Sequence, residues 1–515
     1  MNGGFRSRAK SGDDSNRNND ARRAGNSGRS GRGASAGDRL PKRRNGKAGQ
    51  QGRPRGTDTR QRSPERRDTG VDAARVLALE VLTRVREDQA YANLILPKAL
   101  RERKITGRDA AFTTEITYGT LRARGVLDAV IAECSSRELD KIAPEVLDAL
   151  RLGAYQLLYT RVEPHAAVDT TVRLVESTGN VKAKGFANAI MRTISRTRPE
   201  KWIEQLTPTG EIAAAAFRHA HPEWIAQSFS RVVGLGDLDA ALDADSGRPT
   251  VHLVARPGEI SAEELALITG GEEGRYSPYA VYLEAGDPGE LEPVRQGLAA
   301  VQDEGSQLIA RAAVEASVEG EDHGRWLDLC AGPGGKTALM GALARFDAAH
   351  VDAVEVSAHR AKLVEKTARG LPVTVHVADG RDPGLEPGYD RVLVDAPCSG
   401  LGALRRRPEA RWRKAEADIA ELNPLQFELL TSALRLARPG GVVVYSTCSP
   451  DLRETRAIID RALAESGAEE LDAHGLVPGM EDVGDHLSVQ MWPHRHGTDA
   501  MFLAVLRKGT QGQEN

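Results

Sequence analysis

Between about residue 308 and residue 508, short apolar runs alternate with helix-length segments, and this alternation limits the fold more than any other feature of the chain. The runs Arg325 to Leu329, His350 to Glu355, Val373 to Ala378, Arg391 to Asp395 and Gly441 to Ser446 each have the length of a strand. Helical segments separate most of them, and strands joined by crossovers of that length run parallel. The expectation is a doubly wound, mostly parallel α/β sheet of Rossmann-like type. The tail, Leu487 to Trp492 and Met501 to Leu506, can add an antiparallel hairpin at one edge.

With 515 residues the chain exceeds what one hydrophobic core supports, so a multidomain protein is expected. Residues 1–70 are rich in Gly, Arg, Ser and Asn, and Arg and Lys outnumber Asp and Glu there by more than two to one. Such a segment has too little apolar surface to offset its chain entropy and is expected to be a disordered basic tail. It is either an electrostatic tether for RNA or a dispensable solubilising tail. From 71 to 200 apolar residues recur at helical spacing, as in Ala74, Leu77, Leu79, Val81 and Leu82, which predicts an all-α domain. Residues 201–310 read as a small α+β linker domain, with Pro249 to Ala255 alternating like a strand and Phe217 to Ile225 opening a helix. The catalytic domain is expected over 311–508, with a second disordered tail at 509–515.

The turn after the first strand of the sheet reads Leu327-Asp328-Leu329-Cys330-Ala331-Gly332-Pro333-Gly334-Gly335-Lys336-Thr337. Ligands of doubly wound sheets sit past the carboxyl ends of the strands, where glycines let the backbone approach them. A P-loop would need Gly where Cys330 stands, and a dinucleotide fingerprint would need Gly where Thr337 stands. Neither phosphate-binding motif is satisfied, so a cofactor without a pyrophosphate is favoured. S-adenosylmethionine fits, with its amino acid end at the turn. Glu355 at the end of the second strand is placed for the ribose hydroxyls and Asp379 at the third for the adenine amino group, while Asp395 ends the fourth. A lone acidic residue at a strand end can equally be a helix cap, but these three fall on consecutive strands.

The chain has four cysteines, Cys134, Cys330, Cys398 and Cys448, with no CxxC pair and no His at ligand spacing. A zinc site or disulfide framework is not expected, and a reducing cytoplasm is the natural setting. No apolar run approaches the roughly 20 residues that span a bilayer. Cys398 and Cys448 lie just past two strands of the sheet, in Asp395-Ala396-Pro397-Cys398-Ser399-Gly400 and Tyr445-Ser446-Thr447-Cys448-Ser449-Pro450. A cytosolic cysteine is commonly a small buried hydrophobe. Two at adjacent strand ends beside a cofactor turn suggest a thiol nucleophile instead.

The block from Asp395 to Gly402 with Arg406, Arg407, Pro408 and Trp412, followed by Thr447-Cys448-Ser449, resembles the RNA 5-methylcytosine methyltransferases. The front end is similar to the NusB-like RNA-binding fold through Asp109, Phe112, Glu115, Tyr118 to Arg122, Leu150 to Leu158 and Gly185 to Arg192. Together they point to the Sun/Fmu (RsmB) branch, over about residues 71 to 508. The resemblance implies S-adenosylmethionine-dependent methylation of carbon 5 of a cytosine in 16S rRNA. It also implies that Cys448 attacks carbon 6, that Cys398 assists breakdown of the adduct, and that Cys330, Ala331, Gly332, Pro333, Gly334, Gly335, Lys336, Glu355, Asp379 and Asp395 form the cofactor site. The resemblance also allows Asp395 to hydrogen-bond the target base. Transfer RNA or 23S rRNA as substrate, and a non-catalytic RNA-binding scaffold, are the alternatives. Glu355 replaces the family's common Asp, Glu454-Thr455-Arg456 replaces Glu-Asn-Glu, and Asp499-Ala500-Met501-Phe502 replaces Asp-Gly-Phe-Phe. A cytoplasmic monomer with RNA as partner, no membrane and no metal is expected.

Overall fold

The computed structural model describes residues 70–284 and 286–509, and all the described residues from 70 onward lie in one compact unit. The expected disordered tails fall almost entirely outside the described residues.

Seven α-helices follow one another from α1 (Ala73–Glu87) through α2 (Ala92–Glu102), α3 (Gly107–Arg122), α4 (Arg124–Cys134), α5 (Pro144–Tyr159) and α6 (Pro164–Ser177) to α7 (Lys184–Arg196). Helix α5 is the hub. Its residues Val146 to Gln156 are all buried, because its apolar side chains surround the helix rather than forming one stripe. Proline opens both α5 and α6, where its missing N–H costs nothing. Gly119 lets α3 approach α5 closely, since a Cβ there would lie 1.9 Å from the Tyr155 ring. The Tyr155 hydroxyl donates to Glu115 at 2.6 Å. Arg122 is half-buried, near Glu115, Tyr155 and Asp245, while Arg101 and Arg103 pair with Asp287 and Glu80.

Four more helices, α8 (Pro199–Leu206), α9 (Glu211–Arg218), α10 (Glu223–Val233) and α11 (Leu235–Ser246), precede a small sheet. The segment Phe217 to Ile225 is therefore not one helix: the chain turns at Ala220, which has φ 52°, and restarts after Pro222. The sheet contains β1 (Val251–Ala255), β2 (Glu272–Glu273), β3 (Ala280–Leu283) and β4 (Ala299–Val301) in the order β2-β3-β1-β4, all antiparallel, with α12 (Ala262–Thr269) and α13 (Glu292–Gln296) in its connections.

The third layer system begins with α14 (Glu304–Glu315) and alternates β5 (Arg325–Asp328), α15 (Gly335–Ala344), β6 (His350–Val354), α16 (Ala358–Thr367), β7 (Val373–His376), β8 (Tyr389–Asp395), α17 (Ala417–Leu436), β9 (Ala437–Thr447) and α18 (Arg456–Ser466). It closes with β10 (Glu469–Leu471), β11 (Val489–Gln490), α19 (Pro493–His496) and β12 (Phe502–Arg507). The strand order is β10-β12-β9-β8-β5-β6-β7, with β11 paired to β12. Strands β5 to β9 pair in parallel, whereas β10, β11 and β12 are antiparallel. The expected hairpin is thus present. Strand β10 has only three residues and no alternation by which the sequence could reveal it. Both faces of the sheet are covered, one by the Leu308–Ile309–Met340 cluster and the other by the Phe427–Leu430–Ile459 cluster.

The order reverses between β5 and β8, the switch point where doubly wound sheets open a crevice. The segment after β8 also ties the layers together. Arg405 and Arg406 both bond Asp499 beside β12, at 2.7 and 2.9 Å, and reach Asp303 before α14. The Trp412 indole N–H donates to the Leu121 carbonyl at 2.9 Å, with its ring over Gly125 in the helical domain. No described helix is long and apolar enough to cross a membrane.

Candidate active site

A cavity of about 500 Å³ opens at the carboxyl ends of β5, β6, β8 and β9. Its walls include Cys330, Gly332, Glu355, Asp379, Asp395, Cys398 and Cys448, seven of the residues singled out in the sequence. Ala331, Pro333, Gly334, Gly335 and Lys336 form the turn behind this wall and do not line it.

The turn is built around two buried carboxylates. Asp328, the last residue of β5, accepts from the Thr337 hydroxyl at 2.7 Å and the Cys330 N–H at 3.3 Å, and so holds the two ends of the turn together. Burial raises its carboxyl to about 6. Glu355, just past β6, accepts from the Gly332 N–H at 3.1 Å and the Ser357 N–H at 2.8 Å. A Cβ on Gly332 would stand 2.1 Å from Glu355 Oε2, so only glycine permits this approach. Gly334 has φ 109°, a conformation glycine adopts without strain, and leads directly into α15.

Asp379 lies on the cavity wall, but Arg381 grips both of its oxygens and lowers its carboxyl. Asp395 ends β8 and accepts from Lys336 Nζ at 2.8 Å and the Ser446 hydroxyl at 2.9 Å. Lys336 also contacts the Ser306 hydroxyl at 3.2 Å. Burial works against its charge, yet the Asp395 carboxylate outweighs that and holds the ammonium above its usual value.

Parallel pairing of β8 with β9 sets Asp395 opposite Ser446. Each chain then turns over the sheet edge, and the two thiols meet with Sγ atoms 3.4 Å apart. The bond from Cys398 lowers the Cys448 thiol, and nearby Lys336 adds to this, against burial and the Asp395 charge. Cys398 moves the opposite way, raised by its bond to Cys448, by burial and by Glu454. Either sulfur can be the donor in this contact, and the opposed shifts favour ionisation at Cys448 over Cys398. Burial, with Asp328, Asp395 and Glu355 nearby, keeps Cys330 a neutral thiol.

Glu454 holds the Cys398 loop in place. It is fully buried and accepts from the Ser399 N–H at 2.7 Å, the Ser399 hydroxyl and the Gln426 amide at 3.0 Å. The sequence showed Glu454 only as part of a departure from a family pattern. Its burial beneath the loop could not be read from spacing. Asp328 and Arg360 are further residues that sequence reasoning did not single out. Arg360 bonds the Gly332 carbonyl and stands 3.5 Å from Glu355. Among the described residues no group of three or more His, Cys, Asp or Glu side chains is placed to hold a metal.

The carboxylate at the end of β6 beside a glycine without room for a Cβ, together with a cavity floored by apolar Leu329 and Leu429, suits a nucleoside with a short charged tail. With the strand order β7-β6-β5-β8-β9 and antiparallel β12 beside β9, this fold and site define a class I S-adenosylmethionine-dependent methyltransferase. Residues 316–507 match the family model of the 16S rRNA methyltransferases RsmB/F, and residues 72–196 match the NusB family. A Mycobacterium tuberculosis protein assigned to the methyltransferases, without a named substrate, is 56% identical over 457 residues, 88% of this chain and 99% of its own. The ribosomal RNA small subunit methyltransferase B of Salmonella paratyphi C is 33% identical over 428 residues, 79% of this chain and 96% of its own. The chain belongs to the RsmB/F methyltransferase family, in the form that carries an N-terminal NusB domain. The crystal structure of PH0851 has the same fold, with a TM-score of 0.72 at 23% identity over 85% of this chain and 99% of that one.

Proposed function

We propose that the protein methylates carbon 5 of a cytosine in 16S ribosomal RNA through a covalent bond between Cys448 and the base. The observation that carries this reading is the Cys398–Cys448 pair, 3.4 Å apart on the wall of the cofactor cavity. Carbon 5 of cytosine is a poor nucleophile and needs covalent activation, which a thiolate supplies by adding to carbon 6. The lowered Cys448 thiol suits that task, and Lys336 beside it offsets the charge. S-adenosylmethionine, when bound against the Gly332 turn and Glu355, supplies the methyl group. The carbon 5 proton then leaves and the carbon–sulfur bond breaks, returning the Cys448 thiolate. Cys398, within reach of that sulfur, assists this breakdown. Asp395, fixed by Lys336 and Ser446, stands beside the thiols to bond the target base or the cofactor.

Ribosomal RNA as substrate is supported by the name of the Salmonella relative and by the NusB match. The target cytosine has to leave its stack to reach a thiol inside a cavity. The working division is a helical RNA-binding domain over 71–200, a linker domain over 201–310 and the catalytic domain over 311–508. Bisulfite sequencing of ribosomal RNA from cells with and without the gene tests the reading. One cytosine in 16S rRNA should lose protection when the gene is absent. Loss of protection in another RNA instead would overturn the substrate, and unchanged RNA would overturn the activity.

A further inference from the structure

The cavity is not closed by the catalytic domain alone. Tyr91, immediately before α2 of the helical domain, lines the same cavity as Cys448, together with Arg407, Ala410 and Lys414 from the segment after β8. Tyr91 is 40% exposed, and the Arg407 and Arg413 guanidiniums lie 5.2 and 5.8 Å from its ring centroid. Both flanks of Tyr91 are anchored across the domain boundary. The Ala92 N–H donates to Glu409 at 2.9 Å, and Arg413 donates to the Gln89 and Ala90 carbonyls at 3.0 and 2.9 Å. The ring is therefore held by its backbone, while its hydroxyl bonds nothing among the described residues.

Two of the three cations around the ring have no anionic partner among the described residues. Arg413 is used up in backbone bonds, but neither Arg407 nor Lys414 has a carboxylate partner or a side-chain hydrogen bond among the described residues. In a chain where most arginines near the sheet are paired, two cations without a carboxylate partner beside a fixed, exposed aromatic ring at a cavity mouth mark a place for a polyanion with flat, apolar groups. Single-stranded RNA has that chemistry: bases stack on aromatic faces while cations follow the phosphates.

We propose that Tyr91 is a stacking platform for a nucleobase adjoining the extruded cytosine, with Arg407 and Lys414 on the flanking phosphates. This rests on the reading of the protein as an RNA methyltransferase. It gives the helical domain a specific part in the active site, since the platform comes from one domain and its cations from another. Arg407, which only rests on the ring, can move aside to admit a base between guanidinium and phenol. Tyr91 is then a positioning residue for RNA and takes no part in the chemistry at Cys448.

The test uses the full chain with protein-free 16S rRNA from cells lacking the gene, a labelled oligocytidylate, and S-adenosylmethionine. Tyr91→Ala should raise KM for RNA and weaken oligocytidylate binding by roughly five- to a hundred-fold, the range open to base–aromatic stacking. The kcat at saturating RNA, S-adenosylmethionine binding and the melting temperature should stay at wild-type values, and Tyr91→Phe should restore KM. Unchanged KM in Tyr91→Ala, with wild type methylating RNA normally, would overturn this proposal and leave the enzyme's activity standing. A Tyr91→Phe variant as impaired as Tyr91→Ala, or a fall in melting temperature that accounts for the loss, would also overturn it. Wild type that neither binds nor methylates the RNA would overturn both readings.

Discussion

Cys398 and Cys448 are 50 residues apart in the chain, yet their sulfurs lie 3.4 Å apart past the ends of two adjacent parallel strands. One thiol donates to the other, and this makes them unequal. Cys448, closer in charge terms to Lys336, is the member disposed to ionise, while Cys398 is the member that keeps its proton.

That asymmetry predicts different fates for two variants. Cys398→Ala should accumulate a protein–RNA adduct that survives denaturing electrophoresis, because breakdown is slowed while attack continues. Cys448→Ala should form no adduct and transfer no methyl group. Adducts in the reverse pattern would invert the assignment of roles.

Lys336 ties the thiols to pH. Its ammonium helps to lower the Cys448 thiol, so replacing it with neutral methionine should raise that thiol. The rising limb of the activity–pH profile should move to higher pH in Lys336→Met, with a rate deficit near pH 7 that shrinks as the pH is raised. A profile that falls in height without moving would show that Lys336 does not act through the thiol.

Gly332 permits no side chain. The Gly332→Ala methyl would overlap Glu355 Oε2 at 2.1 Å, forcing the carboxylate or the turn to move. S-adenosylmethionine affinity measured by calorimetry should fall at least about ten-fold, the equivalent of about 1.4 kcal/mol. Retained affinity would mean that the turn does not hold the cofactor.

Trp412 carries the contact between catalytic segment and helical domain. Trp412→Ala removes a ring packed on Gly125 and the bond to the Leu121 carbonyl, and should destabilise the domain contact by about 3 kcal/mol. Limited proteolysis should then cut between the helical and catalytic domains, with RNA affinity falling more than S-adenosylmethionine affinity. Equal protease resistance in wild type and variant would count against this role.

The parallel sheet, the all-α character of residues 71–200 and the glycine turn were legible in the sequence because each is written in local periodicity: apolar runs of strand length, 3.6-residue spacing, and glycines where the backbone must turn tightly. Glu355, Asp379 and Asp395 could be placed at strand ends for the same reason. What the sequence could not determine is every relation between distant segments. It gave no sign that Arg381 occupies Asp379, that Glu454 lies buried beneath the Cys398 loop, or that Tyr91 reaches the cavity from another domain. Periodicity records which face of an element turns inward. Only the packing of whole elements decides which side chains, tens or hundreds of residues apart, share a hydrogen bond or a cavity wall.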